Sequence, residues 1–117
     1  MIHKPIDTYE AKIWVGFKEK YDGPEHSLYE LRQICRKYVD QVKLCVTITP
    51  TEYVYVGGGE PGAVVGLIQY PRFEVKTEEL RAMALKLAHQ IMVEFKQYRM
   101  SVVTSDGTYM LENDELK

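Results

Sequence analysis

A chain of 117 residues, 45% hydrophobic and 27% charged, has the size and composition of one folded domain, which excludes wholesale disorder. Its formal net charge of -2 supplies no global attraction to nucleic acid or to an acidic membrane. The two cysteines, Cys35 and Cys45, form neither a CxxC pair nor a disulfide framework and read as reduced thiols, the usage of a cytoplasmic protein. The first seven residues lack the apolar stretch of a signal peptide, and the apolar run near residues 63–68 is too short to span a bilayer. A single domain over 1–117 is expected, with a core from about 9 to 112, flexible termini and no membrane association.

Residues 11–18 alternate, Ile13, Val15 and Phe17 against Lys12, Trp14, Gly16 and Lys18, and so predict a first strand. Tyr21-Asp22-Gly23-Pro24 turns the chain. Ser27 with Glu30 three residues on is a capping box, and Leu28, Leu31, Ile34, Cys35, Tyr38, Val39 and Val42 then recur at helical spacing. Alternation resumes at residues 44–49 and continues past Pro50 to Val56. Leu44, Val46, Ile48, Val54 and Val56 fall on one face, and Thr47, Thr49, Thr51, Tyr53 and Tyr55 on the other.

The stretch Gly57-Gly58-Gly59-Glu60-Pro61-Gly62 predicts a mobile hairpin tip, with Glu60-Pro61-Gly62-Ala63 suited to a type II turn. In this reading Gly57, Gly58, Gly59 and Gly62 serve as a loop or flap. A phosphate-binding loop is disfavoured, because a strand and not a helix follows the glycines. Residues 63–70 form the return strand, which ends at Tyr70-Pro71-Arg72-Phe73.

Thr77 is placed as the cap of a second helix with Glu78 and Glu79 in its first turn. Leu80, Met83, Ala84, Leu87, Ala88, Ile91, Met92 and Phe95 follow the helical repeat. Residues 100–104 and 109–112 read as strands joined through the Asp106-Gly107 pair, so Asp106 is assigned to the hairpin and not to acid-base work. The order is strand, helix, strand, strand, helix, strand with one further strand. This is a ferredoxin-like α/β (α+β) arrangement, βαββαβ, with both helices on one face of an antiparallel sheet and an extra C-terminal hairpin strand. The other face, rich in Trp14, Tyr53 and Tyr55, is expected to be an oligomer interface, a ligand platform or both.

His3, His26 and His89 have no second ligand at metal spacing, so neither metal nor cofactor is expected. Paired catalytic carboxylates, a nucleophile elbow and a recognisable cysteine nucleophile are lacking, and no catalytic residue is assigned. Residues 13–18 resemble the first-strand half-motif of RNA-recognition domains, but the third strand lacks the basic-glycine-aromatic partner, which argues against DNA or RNA as a ligand. Arg72, held by a proline beside Tyr70, is suited to a phosphate or a carboxylate.

The stretch Cys45-Val46-Thr47-Ile48-Thr49-Pro50-Thr51, the Gly-Glu-Pro-Gly hairpin and Tyr-Pro-Arg-Phe resemble small conserved proteins of tailed bacteriophages, some of which are anti-defence sponges for cyclic nucleotide signals. The resemblance implies a homo-oligomer in the host cytoplasm that sequesters its ligand unchanged. The sequence reading is therefore a non-catalytic binder of an anionic nucleotide. Trp14 or Tyr70 stacks on the base, Arg72 with Lys12 or Arg99 pairs with phosphate, and Thr49 or Thr51 adds hydrogen bonds. The alternatives are a structural or protein-binding module whose aromatic face is an interface, and a small nucleotide hydrolase or phosphodiesterase.

Overall fold

The computed structural model describes residues 1–116 and all their side chains except that of Phe73. Five strands form one sheet: β1 (Glu10–Gly16), β2 (Thr47–Tyr55), β3 (Gly58–Ile68), β4 (Arg99–Thr104) and β5 (Gly107–Glu112). Their spatial order is β2-β3-β1-β4-β5, and every neighbouring pair is antiparallel. Helix α1 (Leu28–Val42) carries the chain from β1 past β3 to β2, and α2 (Thr77–Glu94) carries it from β3 past β1 to β4. Two interleaved βαβ units of this kind are the ferredoxin-like arrangement, with β5 added at the edge.

The core lies between the helices and one sheet face. Ala11, Ile13, Val15, Ala63, Val65, Leu67 and Val102 meet Leu31, Cys35 and Tyr38 of α1 and Leu80, Leu87 and Ile91 of α2. Both expected helical stripes are buried because their 3.6-residue spacing matches the period-two rows below them. The Ser27–Glu30 capping box closes as expected, Glu30 N–H donating to Ser27 Oγ at 3.1 Å and Ser27 N–H to Glu30 Oε1 at 3.2 Å. Thr77 is not the cap of α2 but its first helical residue. Lys76 occupies the cap position without a side-chain bond.

Both hairpin turns differ from their sequence expectation. The β2–β3 turn is Val56-Gly57, with φ +78° at Gly57, and Tyr55 pairs with Gly58. Gly58, Gly59, Glu60, Pro61 and Gly62 are therefore strand residues, and Glu60-Pro61-Gly62-Ala63 is not a turn. A two-residue loop at 56–57 lets β2 pair continuously with β3, and this ladder outweighs the turn preference of Pro-Gly. The second turn is Ser105-Asp106, with Gly107 opposite Thr104. It is held there by Ser105, whose N–H donates to Glu10 O at 3.0 Å, and by Asp106, which accepts from Tyr9 Oη at 3.2 Å, Thr104 Oγ1 at 2.6 Å and Arg81 Nη1 at 2.7 Å.

The β2–β3 hairpin outruns β1. Beyond Gly16–Gly62 it continues as a two-stranded arm, which contributes to principal dimensions of 50 × 28 × 26 Å. Val54 and Val56 were expected on the apolar face with Val46 and Ile48. Val46 and Ile48 are partly buried, but Val54 is 81% exposed and Val56, in the turn, is fully exposed. Parity assigns a face, but burial needs a helix above it.

Two prolines sit at ladder positions, with different consequences. The closing pair of a two-residue hairpin is hydrogen-bonded, so odd residues of β2 bond to β3 and Pro50 points its missing donor to the free edge, where it blunts unwanted pairing. Pro61 lies opposite Phe17. Phe17 N–H donates to Pro61 O at 3.1 Å, but Pro61 cannot return the bond, and Phe17 O instead accepts from His26 N–H at 2.7 Å. The β1–β3 ladder stops, and the loop before α1 is drawn onto its end.

Candidate active site

On the sheet face away from the helices, a cavity of 300 Å³ opens where the β1–β3 ladder ends. Its walls include Trp14 from β1, Tyr53 from β2, Glu60 from β3, Gln97 before β4, Arg99 from β4 and Met110 from β5. Its floor is glycine. A Cβ on Gly62 would run into the Tyr53 ring and the Val15 carbonyl, and one on Gly16 would sit 2.9 Å from Glu60 Oε2 and 3.4 Å from Gln97 Oε1. These two glycines let an aromatic ring and two acceptor oxygens approach the backbone where a side chain would otherwise stand.

Glu60 faces Tyr53 across the hairpin, and Lys18 N–H donates to Glu60 Oε2 at 2.8 Å, which turns the carboxylate over Gly16. Lys18 Nζ also reaches Gly59 O at 3.3 Å. Gln97 is 8% exposed. Its Nε2 donates to Lys18 O and, at 3.4 Å, to Phe95 O, which leaves Oε1 aimed at the same space as Glu60. Tyr53 Oη is buried and has no hydrogen-bond partner among the described residues. Burial first, and the nearby Glu60 carboxylate second, push this hydroxyl up to about 12. An unpartnered buried polar atom beside a held carboxylate marks a place where a ligand group completes the bonding. The grooves of 590 and 510 Å³ beside α1 are larger, but neither holds such an atom.

Behind the site, His26 stacks on Phe95 with ring centroids 4.3 Å apart. It also bonds to Glu19 at 2.9 Å and Glu30 at 2.6 Å, so its role is to dock the loop that supplies Lys18. Hydrogen bonding to His26 holds the Glu30 carboxyl below its usual range.

The expected binding residues divide into two groups. Trp14 and Arg99 line the cavity. Thr51 pairs with Gly62, Thr49 with Val64 opposite Trp14, and Lys12 with Gly66, so all three share the open face without lining the cavity. Tyr70 and Arg72 lie past the other end of β3, beyond Ile68, which pairs with Glu10. The six residue steps from Glu10 to Gly16 put them about 20 Å away at the rise of a strand. Tyr70 there is pushed up to about 12, by burial and then by Cys45. The Phe73 side chain, expected to flank Arg72, lies outside the described residues. Gly57 forms the turn, whereas Gly58, Gly59 and Gly62 build the arm and the cavity floor and not a flap. Glu60 and Gln97 escaped sequence reasoning. A turn at 56–57 would have put Glu60 opposite Tyr53 by counting alone, but nothing in the sequence singles out Gln97.

No family model matches the chain, and no curated protein matches its sequence. Two solved structures match its fold. A phage SAM lyase in its apo state aligns with TM-score 0.79 and 15% identity over 97% of this chain and 98% of that one. A phage SAM lyase in complex with S-methyl-5'-thioadenosine aligns with TM-score 0.80 and 13% identity over the same shares. The fold is that of these lyases.

Both neighbours are phage lyases and not sponges, and at this identity the likeness shows the fold alone. They overturn the reading as a non-catalytic sequestering protein, because the proteins that share the fold are enzymes. The site chemistry agrees, since a carboxylate over Gly16 repels the phosphate that an anionic nucleotide would bring. Among the described residues no helix is long and apolar enough to cross a membrane, and no group of three His, Cys, Asp or Glu can hold a metal ion.

The raised Tyr53 value sets an alkaline limit. The neutral phenol is favoured in the fold relative to about 10 for an exposed tyrosine, so this contribution is intact below about pH 10 and is lost as pH rises toward 12. Cys35, pushed up to about 11 by burial, acts in the same direction. Circular dichroism against pH should show unfolding in this window. Tyr53→Phe, which cannot ionise, should unfold at higher pH, and an unshifted alkaline midpoint would contradict the assignment.

Proposed function

We propose that this protein is a phage-encoded lyase that cleaves S-adenosylmethionine and releases S-methyl-5'-thioadenosine in the host cytoplasm. The observation that carries the reading is the unpartnered Tyr53 hydroxyl beside Glu60, on a fold shared over its length with SAM lyases. Each part of the substrate has a counterpart in the cavity. The sulfonium meets the faces of Trp14 and Tyr53, where a cation is held by ring quadrupoles. The ammonium meets Glu60 Oε2 and Gln97 Oε1, and the carboxylate meets the Arg99 guanidinium.

Cleavage breaks the bond between sulfur and the γ-carbon. The sulfur keeps the electron pair and leaves as a neutral thioether, and the substrate's own carboxylate closes on the γ-carbon to give a five-membered lactone. No water and no external base enter the balance. Because a cation and an anion neutralise one another, the reaction accelerates when both are stripped of water in an aromatic-walled cavity, and holding the ends together removes orientational freedom. The protein's part is to position and to desolvate, which explains a site without a catalytic base.

Chromatography of S-adenosylmethionine incubated with the protein should show S-methyl-5'-thioadenosine accumulating. Glu60→Gln should lower kcat/KM roughly a hundredfold, in line with the loss of one partner of a charged pair with the substrate ammonium. No product with the wild-type protein, or full activity in Glu60→Gln, would overturn the reading.

Self-association is supported by the arm, whose Val54 and Val56 stand out from the helices as apolar surface that a second copy would bury. Light scattering should give a mass above one chain, reduced in Val54→Asp; a monomeric wild type would refute it.

A further inference from the structure

The loop that carries Lys18 closes on itself before it reaches α1. Glu19 N–H donates to Pro24 O and Gly23 N–H to Glu19 O, both at 2.9 Å, and Lys18 lies opposite Glu25. His26 seals this turn, with its backbone N–H on Phe17 O at 2.7 Å and its ring at Glu19, the neighbour of Lys18. Lys18 in turn donates its N–H to Glu60 and accepts from Gln97 Nε2. Glu19 and Lys18 therefore link the His26 ring to the two acceptors that converge on Gly16.

Both ring nitrogens of His26 meet carboxylates, Nε2 at 2.9 Å from Glu19 Oε2 and Nδ1 at 2.6 Å from Glu30 Oε2. An ionised carboxylate only accepts, and a neutral imidazole has one N–H and one lone pair, so only the imidazolium satisfies both partners. From the loop the ring faces Glu19, from α1 Glu30, and from the end of α2 the uncharged Phe95 ring; Lys96, next along, is exposed. Glu30, held below its usual range first by the bond to His26, stays ionised. With the His26 side chain 14% exposed, water does not readily replace a lost donor.

We propose that the His26 imidazolium is a positioning residue for the substrate site, holding Lys18 where it orients Glu60 and Gln97, so that turnover falls when the ring loses a proton. The link to turnover rests on the S-adenosylmethionine reading above; the clamp itself does not. A neutral ring keeps one donor, and the other carboxylate then meets a lone pair. Glu19 or Glu30 is released, and the Lys18 segment loosens. Glu19→Gln removes this dependence, because its amide accepts from the charged ring and donates to the neutral one.

Steady-state turnover of S-adenosylmethionine against pH, with NMR of the His26 ring and the Lys18 amide in the ligand-free protein, tests this. In the wild type the Lys18 amide resonance is expected to shift with the ring titration. Over the same range kcat/KM should fall roughly tenfold or more, the scale of a hydrogen bond to a charged group. Glu19→Gln should match the wild type while the ring is charged, and should keep both its activity and its amide position after the ring turns neutral. The substrate's own amine titrates alike in both proteins, so a difference between the profiles belongs to the clamp. A Lys18 amide that does not follow the ring, or coincident profiles for wild type and Glu19→Gln, overturns the clamp alone. A wild-type protein with a coupled amide but no turnover overturns the functional reading and leaves the clamp in place.

Discussion

Pro61 has no N–H to give to Phe17, and much of the site follows from that missing donor. With its ladder bond unreturned, the Phe17 carbonyl turns to His26 N–H, and β1 ends while the β2–β3 hairpin runs on. The loop that begins there brings Lys18 N–H to Glu60 and the Lys18 carbonyl to Gln97. His26, stacked on Phe95 and bonded to Glu19 and Glu30, fixes the far end of the same loop. A break in pairing thus becomes a concave place on an otherwise flat sheet, lined by acceptors whose orientation is set by backbone donors.

Electrostatics selects what such a place can hold. Two oxygens converging on Gly16, with aromatic faces around them, suit a cation, and Arg99 gives an attached carboxylate a partner on the opposite wall. That combination matches a sulfonium amino acid better than a phosphate ester. A reaction in which the ligand neutralises its own charges needs exclusion of water more than a proton carrier. The absence of paired catalytic carboxylates, which argued against an enzyme in the sequence, carries no weight for chemistry of this type.

The fold was legible because its signals are periodic. The stripes Leu80 to Phe95 and Leu28 to Val42, and the alternation around Ile13 and Val15, each bury the side that their spacing assigns. Turn positions were harder to read. Gly-Glu-Pro-Gly carries strong turn chemistry, yet a tighter turn at Val56-Gly57 satisfies more ladder bonds, and the glycines serve close approach instead. The site was half legible. Trp14, Arg99 and the open face with Tyr53 follow from strand parity. The pairing of Tyr53 with Glu60 depends on that turn, and Gln97 is brought in by the loop from Lys18. Tyr70 and Arg72 had sound local chemistry but sit at the end of β3 opposite the cavity, a distance that no local motif reveals.

Trp14 is the chain's single tryptophan and stands 39% exposed in the wall of the cavity, so its fluorescence reports on that site alone. Titration of the protein with S-methyl-5'-thioadenosine, followed by tryptophan emission, is the most direct measurement of whether a sulfur nucleoside binds over Gly16. A saturable change in emission is the result this account requires. Emission that stays constant up to ligand concentrations that saturate binding by calorimetry would put the ligand elsewhere and contradict it.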